Sequence, residues 1–283
     1  MTLGRVPPLV LVLAAAFSVQ VGASFGVTIL DDVGAAGAVT LRLALAAVFM
    51  LAVWRPRPRA HTREALRVAV LFGLVLGLMN WTFYESLDRI PIGIAVTIEF
   101  VGPLGVAVVD SRARLDVLWV LLAAAGIVLL ADPGGAGAPD ALGVGFALAA
   151  GACWAAYIVL SQRTGEHFTG ATGLAIAMVV AAFVPLVPGI ATAGGELLEP
   201  EVVGVGLAVA LLSSVIPYSF ETEALRRMPR NVFGVLMSLE PAIAALAGFV
   251  VLSQDLGARE LVAIALVVAA SAGATRAPIP DPA

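Results

Sequence analysis

The sequence contains no lysine, one cysteine and only two histidines. The single cysteine, Cys153, excludes an internal disulfide and any cysteine-based zinc site. His61 and His167 both fall in predicted loops, so the predicted helices hold no histidine for a Ser-His pair, and no HExxH motif is present. The sequence therefore predicts neither an enzyme nor a protein with a metal or cofactor.

Charge is also scarce. Only 13% of the 283 residues are charged and 60% are hydrophobic, whereas a soluble domain is about 25% charged. No basic face or tail points to nucleic acid. Ten spans of about 20 residues each would leave only short loops, so a sizeable soluble domain is excluded.

Apolar runs separated by polar or Pro/Gly-rich breaks predict an all-α integral membrane protein with ten transmembrane helices. The first run resembles a signal peptide but continues to about residue 30, so we expect a retained helix. The predicted spans are 8–29, 36–54, 68–87, 91–109, 116–131, 141–161, 170–188, 203–221, 231–252 and 258–275.

Arginine is distributed unequally between the two predicted sides of the membrane. One side has only Arg89 and Arg259 and holds most of the loop acids. The other side, which includes both termini, carries Arg5, Arg55, Arg57, Arg59, Arg63, Arg67, Arg112, Arg114, Arg163, Arg226, Arg227, Arg230 and Arg276. The positive-inside rule predicts that both termini are cytoplasmic.

A sequence repeat relates the two halves. The pattern Glu-x-Leu-x-Arg-x-Pro begins at Glu85 and again at Glu223, and at the same offset of 138 residues Pro103 corresponds to Pro241. We interpret residues 1–135 and 136–276 as five-helix repeats, followed by a short cytoplasmic tail at 277–283. Because five is odd, the repeats must be inverted, which is typical of secondary transporters with a site near the midplane.

Four ionisable residues fall inside predicted spans, where charge is costly and marks candidate functional residues: Arg42, Glu99, Glu221 and Glu240. Arg42 and Glu99 each lie roughly 10 Å from the extracytoplasmic end. They could form a structural ion pair or serve a charged substrate or proton. Glu221 could instead reach water near the cytoplasmic end of its helix.

Other candidates are neutral side chains and prolines. Three prolines are expected to break helices and free backbone carbonyls: Pro103, Pro217 and Pro241. The polar and aromatic residues expected to line a cavity are Gln20, Ser24, Asn80, Tyr84, Trp154, Tyr157 and Tyr218. Each of these residues alone is better explained by packing between helices. Together they favour a cavity between the two halves.

These residues carry a family resemblance along nearly the whole chain. The chain resembles the EamA-type drug/metabolite transporters and, within them, the threonine/homoserine exporters of bacterial inner membranes. Glu85 departs from the pattern, which has an apolar residue there. The matching stretches are QVGAS (20–24), LRLAL (41–45), Met79-Asn80, Phe83-Tyr84, PIGIAVTIEFVGP (91–103), GACWAAY (151–157), PYSFE (217–221) and FGVLMSLEPA (233–242).

The resemblance implies a multi-pass protein of the bacterial inner membrane that exports small amino acids by proton antiport, as a monomer or homodimer. It places the four intramembrane charges at matching positions without assigning them roles. Another solute, such as a different amino acid, a nucleoside, a sugar derivative or a drug-like cation, remains the alternative within the same fold.

Overall fold

A computed structural model describes residues 3–90, 92–110, 114–131, 140–240, 242–243 and 257–276. The regular structure of these residues is helical, without a strand. The helices are α1 (Pro8–Trp54), α2 (Arg63–Leu87), α3 (Ile92–Glu99), α4 (Val101–Val109), α5 (Arg114–Ala131), α6 (Ala141–His167), α7 (Thr172–Phe183), α8 (Leu186–Ala193), α9 (Pro200–Ala210), α10 (Ile216–Leu225), α11 (Arg230–Met237) and α12 (Ala258–Arg276). A π-helical turn, Leu211–Val215, joins α9 to α10.

Local capping explains where several helices begin. The Thr62 hydroxyl accepts a hydrogen bond from the Ala65 amide at the start of α2. The Asp140 carboxylate accepts one from the Gly143 amide at the start of α6. These contacts satisfy backbone donors that the first helical turn leaves without partners.

The first two predicted spans are joined in one long helical element, α1. A straight helix of 47 residues would extend roughly 70 Å, more than twice the hydrocarbon thickness. Gly34 interrupts it with a non-helical φ of 66° and ψ of 175°. Ser18 and Arg42 nevertheless bond adjacent residues, Leu212 and Ser213, so the chain must reverse direction between the two halves of α1.

Several helices can span a bilayer by length and composition. Within the described residues these are Asp32–Trp54, Arg63–Leu87, Ala141–His167 and Pro200–Leu225, with α7 and the segment Leu186–Leu198 forming a fifth if that pair, bent by 49°, is one span. Shorter apolar helices overlap four of the other predicted spans, 8–29, 91–109, 116–131 and 258–275. The remaining predicted span, 231–252, lies partly outside the described residues. The all-helical membrane fold is therefore confirmed in its coarse form.

Helix ends and ion pairs recur at the spacing of the sequence repeat. Glu85 pairs with Arg89 at 2.7 Å, and Glu223 pairs with Arg227 at 3.3 Å. The equivalent helix ends, each 138 residues apart, are Leu87 with Leu225, Ile92 with Arg230, and Glu99 with Met237. The two segments thus share local structure as well as sequence.

The bundle is built by contacts between distant helices. α2 packs against α6 and α7, α5 against α12, and α4 against α6 and α11. The contact between α4 and α6 is close because it is made by glycines: a Cβ at Gly102 would lie 2.0 Å from the Gly151 carbonyl oxygen. This approach fixes the chain immediately after Glu99.

We predict that Gly102→Ala destabilises the protein by about 1–3 kcal/mol, because the added methyl must separate packed backbones. Gly105→Ala is the matched control on the same helix, since a Cβ there would meet nothing within 4 Å. Thermal unfolding of both purified variants in detergent measures the difference. Equal melting temperatures for the two variants would contradict this packing.

Candidate functional site

The central feature of the site is an interruption between α9 and α10. In the π-helical turn the Ile216 amide donates to the carbonyl of Leu211, which bypasses Leu212. Pro217, the second residue of α10, has no amide proton to donate to Leu212 or Ser213. Two successive backbone carbonyls, those of Leu212 and Ser213, therefore lose the donor four residues ahead that an α-helix normally supplies.

Donors from α1 supply what this helix lacks. The Ser18 hydroxyl donates to the Leu212 carbonyl at 2.6 Å. Arg42 donates through Nη2 to the Ser213 carbonyl and through Nε to the Ser214 hydroxyl, the latter at 2.7 Å. Gly22 allows this approach, because a Cβ there would lie 2.1 Å from the Ser213 hydroxyl oxygen.

A second set of polar contacts surrounds Tyr218. Its hydroxyl accepts hydrogen bonds from Asn80 Nδ2 at 3.0 Å and from Arg42 Nη2 at 3.3 Å. Asn80 and Tyr218 are both buried and are 138 residues apart, which is the repeat spacing. Tyr84 also lies beside Arg42. The guanidinium is thus held by α2 and α10 together.

Glu221 lies one turn beyond Tyr218 and is directed into the bundle. Its carboxylate accepts a hydrogen bond from the Tyr157 hydroxyl at 2.8 Å, and its exposure is only 3%. The Tyr157 ring packs against Tyr218 and Phe72, with centroids 5.6 and 5.4 Å away. Glu221 therefore does not reach water in this structure.

Glu99 ends α3, where the helix is interrupted at Phe100 before α4 begins. Pro103 lies in the first turn of α4 and cannot donate to the Glu99 carbonyl. The Glu99 side chain is buried, and Trp154 packs edge-on against the neighbouring Phe100 at 4.9 Å.

The buried charges interact at longer range. Arg42 and Glu99 form no salt bridge among the described residues, although they interact electrostatically. Glu240 is half-buried and within electrostatic range of Glu99 and Glu221. The structure thus gathers one cation and three carboxyl groups in the bundle interior.

The remaining candidates are placed less centrally. Gln20 is half-buried and lies two residues from both Ser18 and Gly22, on another face of α1. The side chain of Ser24 and the residue Pro241 lie outside the described part of the chain.

The residues predicted for the site do not include Ser18, Ser213 or Ser214. A signal was present for Ser213, since a proline at 217 leaves the carbonyl of residue 213 without its usual helical donor. No signal in the chain identifies Ser18, whose partner is 194 residues away.

An apolar groove with a volume of about 550 Å³ lies elsewhere, between α4 and α6. Its walls include Gly105, Leu148 and Ala155, and Asp110 is its one ionisable lining residue. The four intramembrane charges do not line it, and the polar cluster that holds them is the candidate functional site. No group of three His, Cys, Asp or Glu side chains in the described ranges could hold a metal.

The polar cluster combines a cation with carboxyl groups, which is the charge complement of a small molecule that carries both charges. Arg42 offers guanidinium donors, and the carboxyl groups and the carbonyls of Leu212 and Ser213 are hydrogen-bond acceptors. Ionised groups in the bundle interior are stable only with partners of opposite charge or with hydrogen bonds.

Comparison with known proteins gives consistent matches. The EamA-like transporter family matches residues 141–276. Threonine/homoserine exporter RhtA of Escherichia coli strain K12 is 42% identical over 269 residues, covering 95% of this chain and 91% of the exporter. The protein of the same name from Salmonella typhimurium strain LT2 is 40% identical with the same coverage.

A solved crystal structure superposes with a TM-score of 0.73 at 19% sequence identity, covering 94% of this chain and 97% of the other. At that identity the likeness concerns the fold alone. The matches to the family and to its full-length relatives confirm that the chain is a transporter rather than an enzyme. The chain belongs to the EamA-like transporter family.

Proposed function

We propose that this protein exports threonine, homoserine or similar small amino acids across the bacterial cytoplasmic membrane by proton antiport. The observation that carries the proposal is the 42% identity to a threonine/homoserine exporter over 95% of the chain. The buried charges supply a physical basis, because an amino-acid zwitterion needs both a cationic and an anionic partner.

In the proposed complex Arg42 binds the substrate carboxylate. Its Nε is anchored on Ser214 at 2.7 Å, which orients the outer edge of the guanidinium for a carboxylate. Glu99 or Glu240 accepts from the substrate ammonium. The same carboxyl groups suit proton exchange, because a proton and the substrate ammonium compete for one carboxylate. The proton and the substrate then cross the membrane in opposite directions.

The proposed architecture is ten spans in two inverted five-helix repeats, with both termini cytoplasmic. The recurrence of helix ends and ion pairs at 138 residues supports the repeat. So does the hydrogen bond between Asn80 and Tyr218, because residues on a two-fold axis contact their own equivalents. Alternating access would arise by rocking one repeat against the other.

We predict that cells expressing the protein release labelled threonine or homoserine faster than empty-vector cells, and that a protonophore removes the excess. Efflux from preloaded cells measures this directly. Immunodetection in the membrane fraction is the control for expression. No excess efflux from a protein present in the membrane would redirect the search to other solutes of the same fold.

We also predict that Arg42→Gln lowers threonine export at least tenfold, because a buried carboxylate left without its cationic partner costs several kcal/mol. Arg59→Gln is the matched control, since Arg59 is exposed in a loop. Initial efflux rates, normalised to folded protein by size-exclusion chromatography, test the role. Wild-type export by a folded Arg42→Gln protein would exclude it.

A third prediction concerns the carboxyl groups. If Glu99 or Glu240 exchanges the proton, its glutamine variant should retain threonine–threonine exchange in proteoliposomes, because the amide oxygen still accepts from the substrate ammonium. It should lose transport driven by a pH gradient, because the amide cannot titrate. Glu64→Gln, an exposed acid at the start of α2, should keep both activities. Gradient-driven transport by the double variant Glu99→Gln, Glu240→Gln would place proton exchange elsewhere.

A further inference from the structure

The carbonyls of Leu212 and Ser213 are unusual acceptors because their present donors are side chains from another helix. For Ser213 the loss of the helical donor is a covalent property of Pro217, so it persists in every conformation of the protein. For Leu212 it follows from the π-helical turn, in which the Ile216 amide donates to Leu211. In this structure Ser18 and Arg42 donate to these carbonyls, and both belong to α1, a different helix from the one that carries the carbonyls.

We propose that the Leu212 and Ser213 carbonyls form the binding subsite for the substrate ammonium, and that Ser18 and Arg42 cap them in the unloaded protein. The inference rests on the proposed function and adds the main-chain partners of the substrate. An ammonium has three N–H donors, and a single carboxylate cannot accept all three within a buried site. Two adjacent carbonyls and one carboxylate satisfy them.

Arg42 changes its hydrogen-bond partner when the substrate binds. In this structure its Nη2 donates to the Ser213 carbonyl. When an amino acid enters, its carboxylate accepts the hydrogen bond from Arg42 Nη2. Its ammonium then donates to the Ser213 carbonyl in place of Arg42. The exchange leaves no buried carbonyl without a donor, which would otherwise carry a desolvation cost.

The local geometry favours this exchange. Arg42 retains its second contact, Nε to the Ser214 hydroxyl, so the guanidinium stays beside the carbonyls while its outer edge changes partner. In an α-amino acid one carbon separates the carboxylate from the ammonium. The two groups can therefore reach Arg42 and the adjacent Ser213 carbonyl at once.

Pro217→Ala tests the subsite, because it restores an amide that can donate to Ser213 within the helix. The measurement is inhibition of labelled threonine exchange in proteoliposomes by unlabelled threonine and by 3-hydroxybutyrate, which is threonine without its ammonium. We expect the preference for threonine to fall about tenfold in the variant, the value of one hydrogen bond to a charged group. Inhibition by 3-hydroxybutyrate should not change.

Pro188→Ala, in α8, is the matched control for replacing a proline within a membrane helix, and it should keep the wild-type preference. If wild-type protein exchanges threonine normally and Pro217→Ala keeps the same preference for threonine over 3-hydroxybutyrate, the subsite is overturned but the proposed function is not. No effect of threonine on the wild-type protein would overturn the proposed function, and the subsite with it.

Ser18→Ala provides a second measurement that does not depend on Pro217. It removes the donor to Leu212, so the unloaded variant should melt below wild type, and saturating threonine should raise its melting temperature more than it raises that of wild type. An equal threonine-induced shift in both proteins would remove Leu212 from the subsite.

Discussion

Every backbone carbonyl inside a bilayer must find a donor within the protein, and the contacts around Pro217 follow from that constraint. A π-helical turn and a proline leave two successive carbonyls without helical partners. Ser18 and Arg42 satisfy them from the two halves of α1. The reversal of α1 at Gly34 and the lack of a Cβ at Gly22 allow both donors to reach these adjacent carbonyls.

The same constraint explains how a cation is tolerated so deep in the fold. Arg42 is surrounded by a carbonyl, a serine hydroxyl and a tyrosine hydroxyl, and these neutral acceptors offset part of the cost of removing it from water. A fixed ion pair with Glu99 would neutralise both groups. Neutral acceptors leave the guanidinium its charge, which a substrate carboxylate can then use.

The sequence predicts much of the fold because hydropathy reports span length directly. The helices α5, α6 and α12 begin within two residues of the predicted spans. The sequence predicts the site less well than the fold. Pro217 identifies where a helix loses a hydrogen bond, but the donor that compensates depends on helix packing. Ser18 lies on another face of α1 from Gln20, the nearest predicted cavity residue, and carries no periodic signal of its own.

Proline positions also show why local sequence reasoning stops short of geometry. Pro103 and Pro217 each lie in the first turn of a new helix, where the missing amide costs nothing to the helix that follows. The effect falls on the residues before them, Glu99 in one case and Leu212 and Ser213 in the other. The residues whose carbonyls lose a helical donor, and not the prolines themselves, therefore supply the polar groups of the candidate site.

The hydrogen bond between Asn80 and Tyr218 has a consequence for evolution in the proposed two-fold arrangement. After a gene duplication, the residue on the axis would face an identical copy of itself. The present partners differ, one an amide and one a phenol, so the halves have diverged at the position where symmetry is strictest. Inward-facing and outward-facing states built from such halves are not energetic mirror images, and each half can be selected separately to set the resting state of the carrier.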